Sequence, residues 1–242
     1  MSNKTKRGLN QDILVTVDTV VFTVKNGELL TLLVKRKSSA RNYPSQWSLP
    51  GGIVDELTDT STKHTAVKKL EAKTGINLRY LEQLKSYSGC ERDERKWSIS
   101  DAYFILMRHV SEFKDSAEVI ESKWVSIDKL KGYRPFAFDH EKIINDAIQR
   151  LREKARYSLL PAYCLEEMFT LNQLHQTIEI ILGHAVQKKS LYRRISESVA
   201  LEKTDQKYNT DTKKAALYRT NDKTRDFTFD RNITEPKKPS PK

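Results

Sequence analysis

The chain has 242 residues, 38% hydrophobic and 9% aromatic, and carries a formal net charge of +11. That length suggests one large or two ordinary domains, with enough apolar content for real cores. No apolar run reaches the roughly 18 residues of a membrane span, and the N-terminus lacks the apolar stretch of a secretory signal. A cytoplasmic protein without a membrane partner is expected. Two cysteines, Cys90 and Cys164, form neither a disulfide framework nor a metal-ligand spacing. The basic excess favours nucleic acid or an anionic ligand.

Residues 1–11 read as a loose basic arm. Residues 13–24 are rich in β-branched side chains and predict a buried strand. A Lys25-Asn26-Gly27-Glu28 turn leads to a second strand over 29–36. After Gln46-Trp47-Ser48-Leu49-Pro50-Gly51-Gly52 comes a helix over about 62–74, with Ala66, Val67 and Leu70 inward. Residues 121–130 suggest a late strand followed by a turn. A helix begins at Asp139, a plausible N-cap, with Ile143, Ile144, Ala147, Ile148 and Leu151 in one stripe. This first unit spans 12–156.

Residues 49–76 resemble a Nudix box, opening with Leu49-Pro50-Gly51-Gly52 and closing with Leu70, Gly75 and Ile76. The resemblance implies a Nudix-type α/β/α sandwich within an α+β chain. Nudix enzymes hold Mg²⁺ or Mn²⁺ against a diphosphate with carboxylates on one helix face. Here Lys68-Lys69-Leu70-Glu71-Ala72-Lys73 stands at the box's R-E-U-x-E-E positions, and Thr60 falls near its earlier glutamate. The i, i+4 pair is therefore Lys69 and Lys73, which share a face. Two ammonium groups repel a divalent cation, which seeks oxygen ligands, but can contact phosphate as point charges. Glu71 points away from that face. No metal site and no catalytic residue are expected.

A short connector opens the second unit, 157–228. Thr170 is the expected cap of a helix whose stripe is Leu171, Leu174, Ile178 and Ile181, with Phe169 as a staple and Gly183 as its end. A basic helix follows over 187–197, extending its apolar stripe to Val199. Residues 202–214 are hairpin-like, and 215–219 form a strand. This order is that of a winged helix-turn-helix. Cations suit phosphates, and forked or amide donors suit base edges. The DNA-contact candidates are Thr170, Gln173, Lys188, Lys189, Ser190, Tyr192, Arg193, Arg194, Lys213 and Lys214; a dimerisation domain with a solvated charged face is the alternative for this segment. The Pro/Lys-rich tail, 229–242, is expected to be disordered.

Together the halves resemble the Nudix-related regulators of NAD metabolism, the NrtR family, from about 12 to 220. The resemblance is carried by Thr16-Val17-Asp18, Gln46 to Gly52, Lys68-Lys69-Leu70, residues 92–100, Phe136-Ala137-Phe138-Asp139-His140, Phe169 to Leu174, and Leu217-Tyr218-Arg219. It implies a homodimeric repressor of NAD biosynthesis or salvage genes on a palindromic operator, with ADP-ribose as the effector that releases double-stranded DNA and no cofactor. Half-sites would lie whole helical turns apart, roughly 10 bp each. Candidate ligand contacts are Arg36, Trp47, Gly52, Lys69, Lys73, Arg92 and Arg95. Trp47 could instead fill core, and Arg92 and Arg95 could be exposed loop charges. Asp18 reads as a structural hydrogen-bonding residue, and His140 as a helix-start residue. Thr212-Lys213-Lys214-Ala215 replaces the family's Gly-Arg-Pro-Ala wing stretch. The alternative function is an active ADP-ribose pyrophosphatase with an accessory domain.

Overall fold

The computed structural model describes residues 12–75, 78–114, 118–209 and 214–233. β1 (Leu14–Lys25) and β2 (Glu28–Arg36) form the expected hairpin. Asn26 and Gly27 adopt φ of 51° and 79°, the left-handed pair that a type I′ turn requires. β1 is central. It pairs antiparallel with β2 and with β4 (Gly51–Ile53), and parallel with β6 (Ser98–Leu106). β3 (Trp47–Ser48) and β7 (Val119–Ser126) flank β2, and β5 (Tyr80–Gly89) flanks β6.

Strand alternation then assigns each face a helix. Val17 and Val21 cluster with Ala66 and Leu70 of α1 (Thr62–Thr74). Val20 and Phe22 cluster with Ile143, Ile144, Ala147 and Leu151 of α2 (His140–Ala155). The result is the α/β/α sandwich. Asp18 shares the α2 face with Val20 and is buried, so it must find partners there.

The second unit contains α3 (Leu171–Leu182), α4 (Lys188–Ser196) and a hairpin of β8 (Leu201–Asn209) and β9 (Lys214–Thr220). Thr170 and Gln173 form a reciprocal capping box on α3, which ends at Gly183. Phe169 is buried, and its N–H and carbonyl both bond to Tyr218 of β9. It ties the wing to the start of α3 as well as stapling the helix.

Three boundaries differ from the sequence expectation. The connector is no loose link: Leu160–Cys164 form a buried 3-10 turn inside a core shared by both units. That core runs from Phe22 and Phe104 through Tyr163 to Phe169, Leu174 and Ile178. α4 stops at Ser196, leaving Val199 exposed rather than in the apolar stripe. The first part of the expected disordered tail is packed, with Phe229 and Ile233 buried. Their apolar side chains find shelter against the same core, which overrides the polar composition around them. The basic arm 1–11 and the rest of the tail lie outside the described residues.

Candidate functional site

The glycines of the degenerate box create a close approach between β4 and β1. A Cβ on Gly51 would sit 2.3 Å from the Val17 carbonyl oxygen and 2.7 Å from Asp18 Oδ1, distances no side chain tolerates. Across this strand lies the cationic face of α1. Lys69 runs past Gly52, its Cδ and Cε 3.2 Å from where a Cβ would be. Lys73 Nζ donates to the Gly51 carbonyl at 2.5 Å and lies 3.5 Å from Glu118 Oε2. Burial pushes the Lys73 ammonium below its ordinary pKa, and Glu118 opposes that shift. Lys68 turns aside to Asp59, which also accepts from Thr65 at 2.8 Å and the Asp55 N–H at 3.0 Å. Thr60 is exposed on that loop. Among the described residues, no group of three His, Cys, Asp or Glu could hold a metal ion.

Behind β4 a buried polar network replaces solvent. Asp18 Oδ2 accepts from Ser100 at 2.7 Å and from Arg92 Nη2 at 3.3 Å, and its Oδ1 lies 3.1 Å from His140 Nε2. His140 Nδ1 accepts the Leu49 N–H at 2.9 Å, so the ring donates through Nε2 to Asp18. Burial works against the Asp18 carboxylate, but His140, Ser100 and Arg92 outweigh it and hold its pKa at about 2. Arg92 also bonds to Asp139 at 2.9 and 3.2 Å. Asp139 occupies the N-cap position of α2 yet makes no capping bond, because Arg92 takes its carboxylate.

Asp18, Arg92 and His140 line a cavity of about 120 Å³ together with Arg36, Asp93, Arg95 and Phe138. Arg95 is forked onto Asp93 at 2.6 and 2.9 Å. Arg36 donates to the Asn42 carbonyl at 3.1 Å and stands 5.2 Å from the Phe138 ring centroid. It forms no ion pair among the described residues. Burial, aided by Arg95, lowers its pKa. A cleft of about 490 Å³ elsewhere, between the end of α1 and the wing, is larger, but its arginines are engaged. Arg79 bonds the Leu165 carbonyl, Arg108 pairs with Glu166, and Arg219 pairs with Glu202.

The seven ligand candidates therefore divide. Arg36, Gly52, Lys73, Arg92 and Arg95 line one cavity, with Lys69 beside it. Trp47 does not line it. Its ring meets Tyr133 edge-on at 5.3 Å, with Lys35 Nζ 5.8 Å away, so it packs behind the pocket. Arg92 is no exposed loop charge; it is an internal clamp whose side chain is only 6% exposed. Phe138 and His140 are pocket-lining residues outside the seven. Phe138 has φ of 54°, a strained conformation for an aromatic residue with no local sequence signal.

The DNA candidates divide too. Lys189 and Arg193 are exposed one turn apart on α4. Lys188 donates to Asn172 at 2.6 Å and sits 5.4 Å from the Tyr192 ring. Tyr192 is half-buried, edge-on to His175, and Ser190 is half-buried. Thr170 is buried as a cap rather than presented to a partner, and Gln173 spends its amide oxygen on Thr170. Arg194 is not presented either: its guanidinium bonds to the carbonyls of Arg231 and Asn232. Lys214 is exposed at the start of β9, and Lys213 lies outside the described residues.

Comparison with known proteins places this geometry. Residues 161–220 match the NrtR DNA-binding winged helix domain, and 13–147 match the NUDIX domain. Over 226 residues the chain is 38% identical to an ADPR responsive transcriptional repressor of Acinetobacter baylyi, covering 93% of this chain and 88% of that one. The chain belongs to the NrtR family. The crystal structure of Shewanella oneidensis NrtR complexed with a 27mer DNA superposes with a TM-score of 0.83 at 37% identity, covering 91% of this chain and 99% of that one. The NUDIX domain of the same NrtR, complexed with ADP ribose, matches with a TM-score of 0.55 at 34% identity, covering 62% of this chain and 99% of that one. An ADP-ribose pyrophosphatase of Methanocaldococcus jannaschii is 32% identical over 115 residues, 48% of this chain and 63% of that enzyme.

Proposed function

We propose that this chain is an ADP-ribose-responsive transcriptional repressor of NAD metabolism genes, acting as a homodimer on a palindromic operator. Its Nudix-like domain binds the nucleotide diphosphate without hydrolysing it, and ligand binding releases the DNA. The observation that carries this reading is the α1 face over Gly51-Gly52. Lys69 and Lys73 stand there, where a hydrolase would bring metal-binding carboxylates. Arg36 adds a cation that makes no salt bridge among the described residues, though Asp93 and Asp18 act on it at longer range. The diphosphate is neutralised by nitrogen donors, with arginine forking two oxygens and lysine acting as a point charge. The exposed cations of α4, Lys189 and Arg193, suit the phosphates of duplex DNA. The repressor name of the Acinetobacter relative and the DNA and ADP-ribose complexes of the Shewanella protein support the same reading.

The deciding experiment is a mobility shift on promoter duplexes of NAD genes, with and without ADP-ribose. A retarded band that ADP-ribose dissolves is the expected result. Binding that no ADP-ribose concentration alters overturns the sensor role. The M. jannaschii relative makes hydrolysis the second reading. Incubation with Mg²⁺ and ADP-ribose decides it, because release of AMP and ribose 5-phosphate would establish an enzyme.

A further inference from the structure

Residues 221–233 leave the wing and return across the molecule as a strap. Arg225 donates to the Leu81 carbonyl of β5 at 2.9 Å, its guanidinium 5.5 Å from the Tyr80 ring centroid. Thr228 and Ser158 form a β-bridge. The N–H groups of Phe229 and Ile233 donate to the Tyr157 and Arg156 carbonyls at 2.6 Å each. The strap is thus fastened to β5 and to Arg156 of the ligand-sensing half, and to Tyr157 and Ser158 of the connector that follows α2.

Arg194 of α4 reaches this strap. Its Nη1 donates to the carbonyl of Arg231 and, at 3.2 Å, to that of Asn232, and its guanidinium lies 5.9 Å from the Phe229 ring. Guanidinium offers N–H donors and no acceptor, and here one nitrogen, Nη1, serves both carbonyls while the planar group lies by the Phe229 ring. The neighbouring Arg193 is about 100° further round the helix and exposed. Two adjacent arginines on one basic helix therefore have different employment.

We propose that Arg194 is a positioning residue: through the strap it sets the angle at which α4 is held against the sensor domain for presentation to DNA. This rests on the DNA-binding reading above. An arginine spent on backbone carbonyls adds no phosphate contact, so its loss weakens binding by misplacing α4 rather than by removing a counterion-releasing charge. The two causes separate in the salt dependence. Each phosphate contact contributes about 0.9 to the slope of log K against log salt.

The test compares Arg194→Ala, Phe229→Ala and their double variant with Arg193→Ala, on operator duplex over a salt series. Arg194→Ala is expected to bind about tenfold more weakly, the scale of one charged hydrogen bond, with an unchanged slope. Arg193→Ala should lower the slope by about 0.9. Phe229→Ala should lose a similar factor, and the double variant should be no worse than either, since both release one strap. Unchanged ADP-ribose affinity reports an intact sensor half. Arg194→Lys, which keeps the charge but loses the guanidinium beside the Phe229 ring, should still bind several-fold more weakly than the native chain, and substitutes for Arg194→Ala if that variant does not fold. A slope loss of about 0.9 in Arg194→Ala, additive losses in the double variant, or undiminished affinity each overturn the proposal. A wild-type chain that binds no duplex refutes the repressor reading and the positioning role with it. Amide exchange at Phe229 and Ile233 in Arg194→Ala then decides the strap contact separately, retained protection showing that Arg194 does not hold it.

Discussion

Replacing Arg92 and Arg36 one at a time separates a structural cation from one proposed to bind ligand in the same cavity. Arg92 is 6% exposed and meets Asp18 at 3.3 Å and Asp139 at 2.9 Å, with further bonds to Thr16 and Ser98. Removing one partner of a buried ion pair costs about 3–5 kcal/mol, because the remaining charge stays desolvated. Asp18 keeps His140 and Ser100, and the Asp139 side chain is 22% exposed and can recruit water. The lower end, about 3 kcal/mol, is therefore expected for Arg92→Ala. With a urea m-value of about 2 kcal/mol/M, the unfolding midpoint falls by roughly 1.5 M. Arg36 has one backbone acceptor and no salt bridge among the described residues, only longer-range interaction with Asp93 and Asp18. Arg36→Ala should move the midpoint by no more than about 0.5 M on the same scale, while ADP-ribose affinity by calorimetry drops about tenfold or more. Urea unfolding followed by tryptophan fluorescence reads the first effect. An Arg92→Ala protein with an unaltered midpoint would show that the network holds nothing together.

Three further outcomes are expected. The Asp18 carboxyl titrates at about 2 in the fold against 3.8 ordinarily, so its ionisation stabilises the native state. That contribution is complete above pH 4 and is lost as pH falls from about 4 to about 2. It amounts to roughly 2 kcal/mol at 1.36 kcal/mol per pKa unit, and Asp18→Asn should flatten acid unfolding in that window. Lys73→Ala should weaken ADP-ribose about tenfold by removing a charged donor, with no recovery on adding Mg²⁺; titration calorimetry reads both. Lys189→Ala should lower operator affinity on specific and non-specific duplexes alike and reduce the salt slope by about 0.9, as a phosphate contact does.

Much of this molecule is local and was legible as such. The helix over 62–74 coincides with α1 because the apolar spacing and the Gly75 stop lie within one short window. The Thr170 cap and the Asn26-Gly27 turn likewise declare themselves in a few residues, though Gln173's half of the capping box was not read from them. So does the placement of Lys69 and Lys73 together, since i, i+4 spacing puts both on one face whatever surrounds them.

What the sequence by itself determined is the four α-helices, the β1–β2 hairpin, the late strand and the wing, with their order, whereas β5 and β6 gave no signal that was read from it. The tertiary structure alone decided who partners whom. Asp139 looked like a cap and is taken by Arg92, which joins it to Asp18, 74 residues from Arg92. Arg193 and Arg194 look equivalent, yet one faces out and the other bonds a strap 37 residues later. Periodicity reports which face of an element turns inward. It carries no information on which distant charge or carbonyl waits there, because burial makes that pairing obligatory only after the elements have packed.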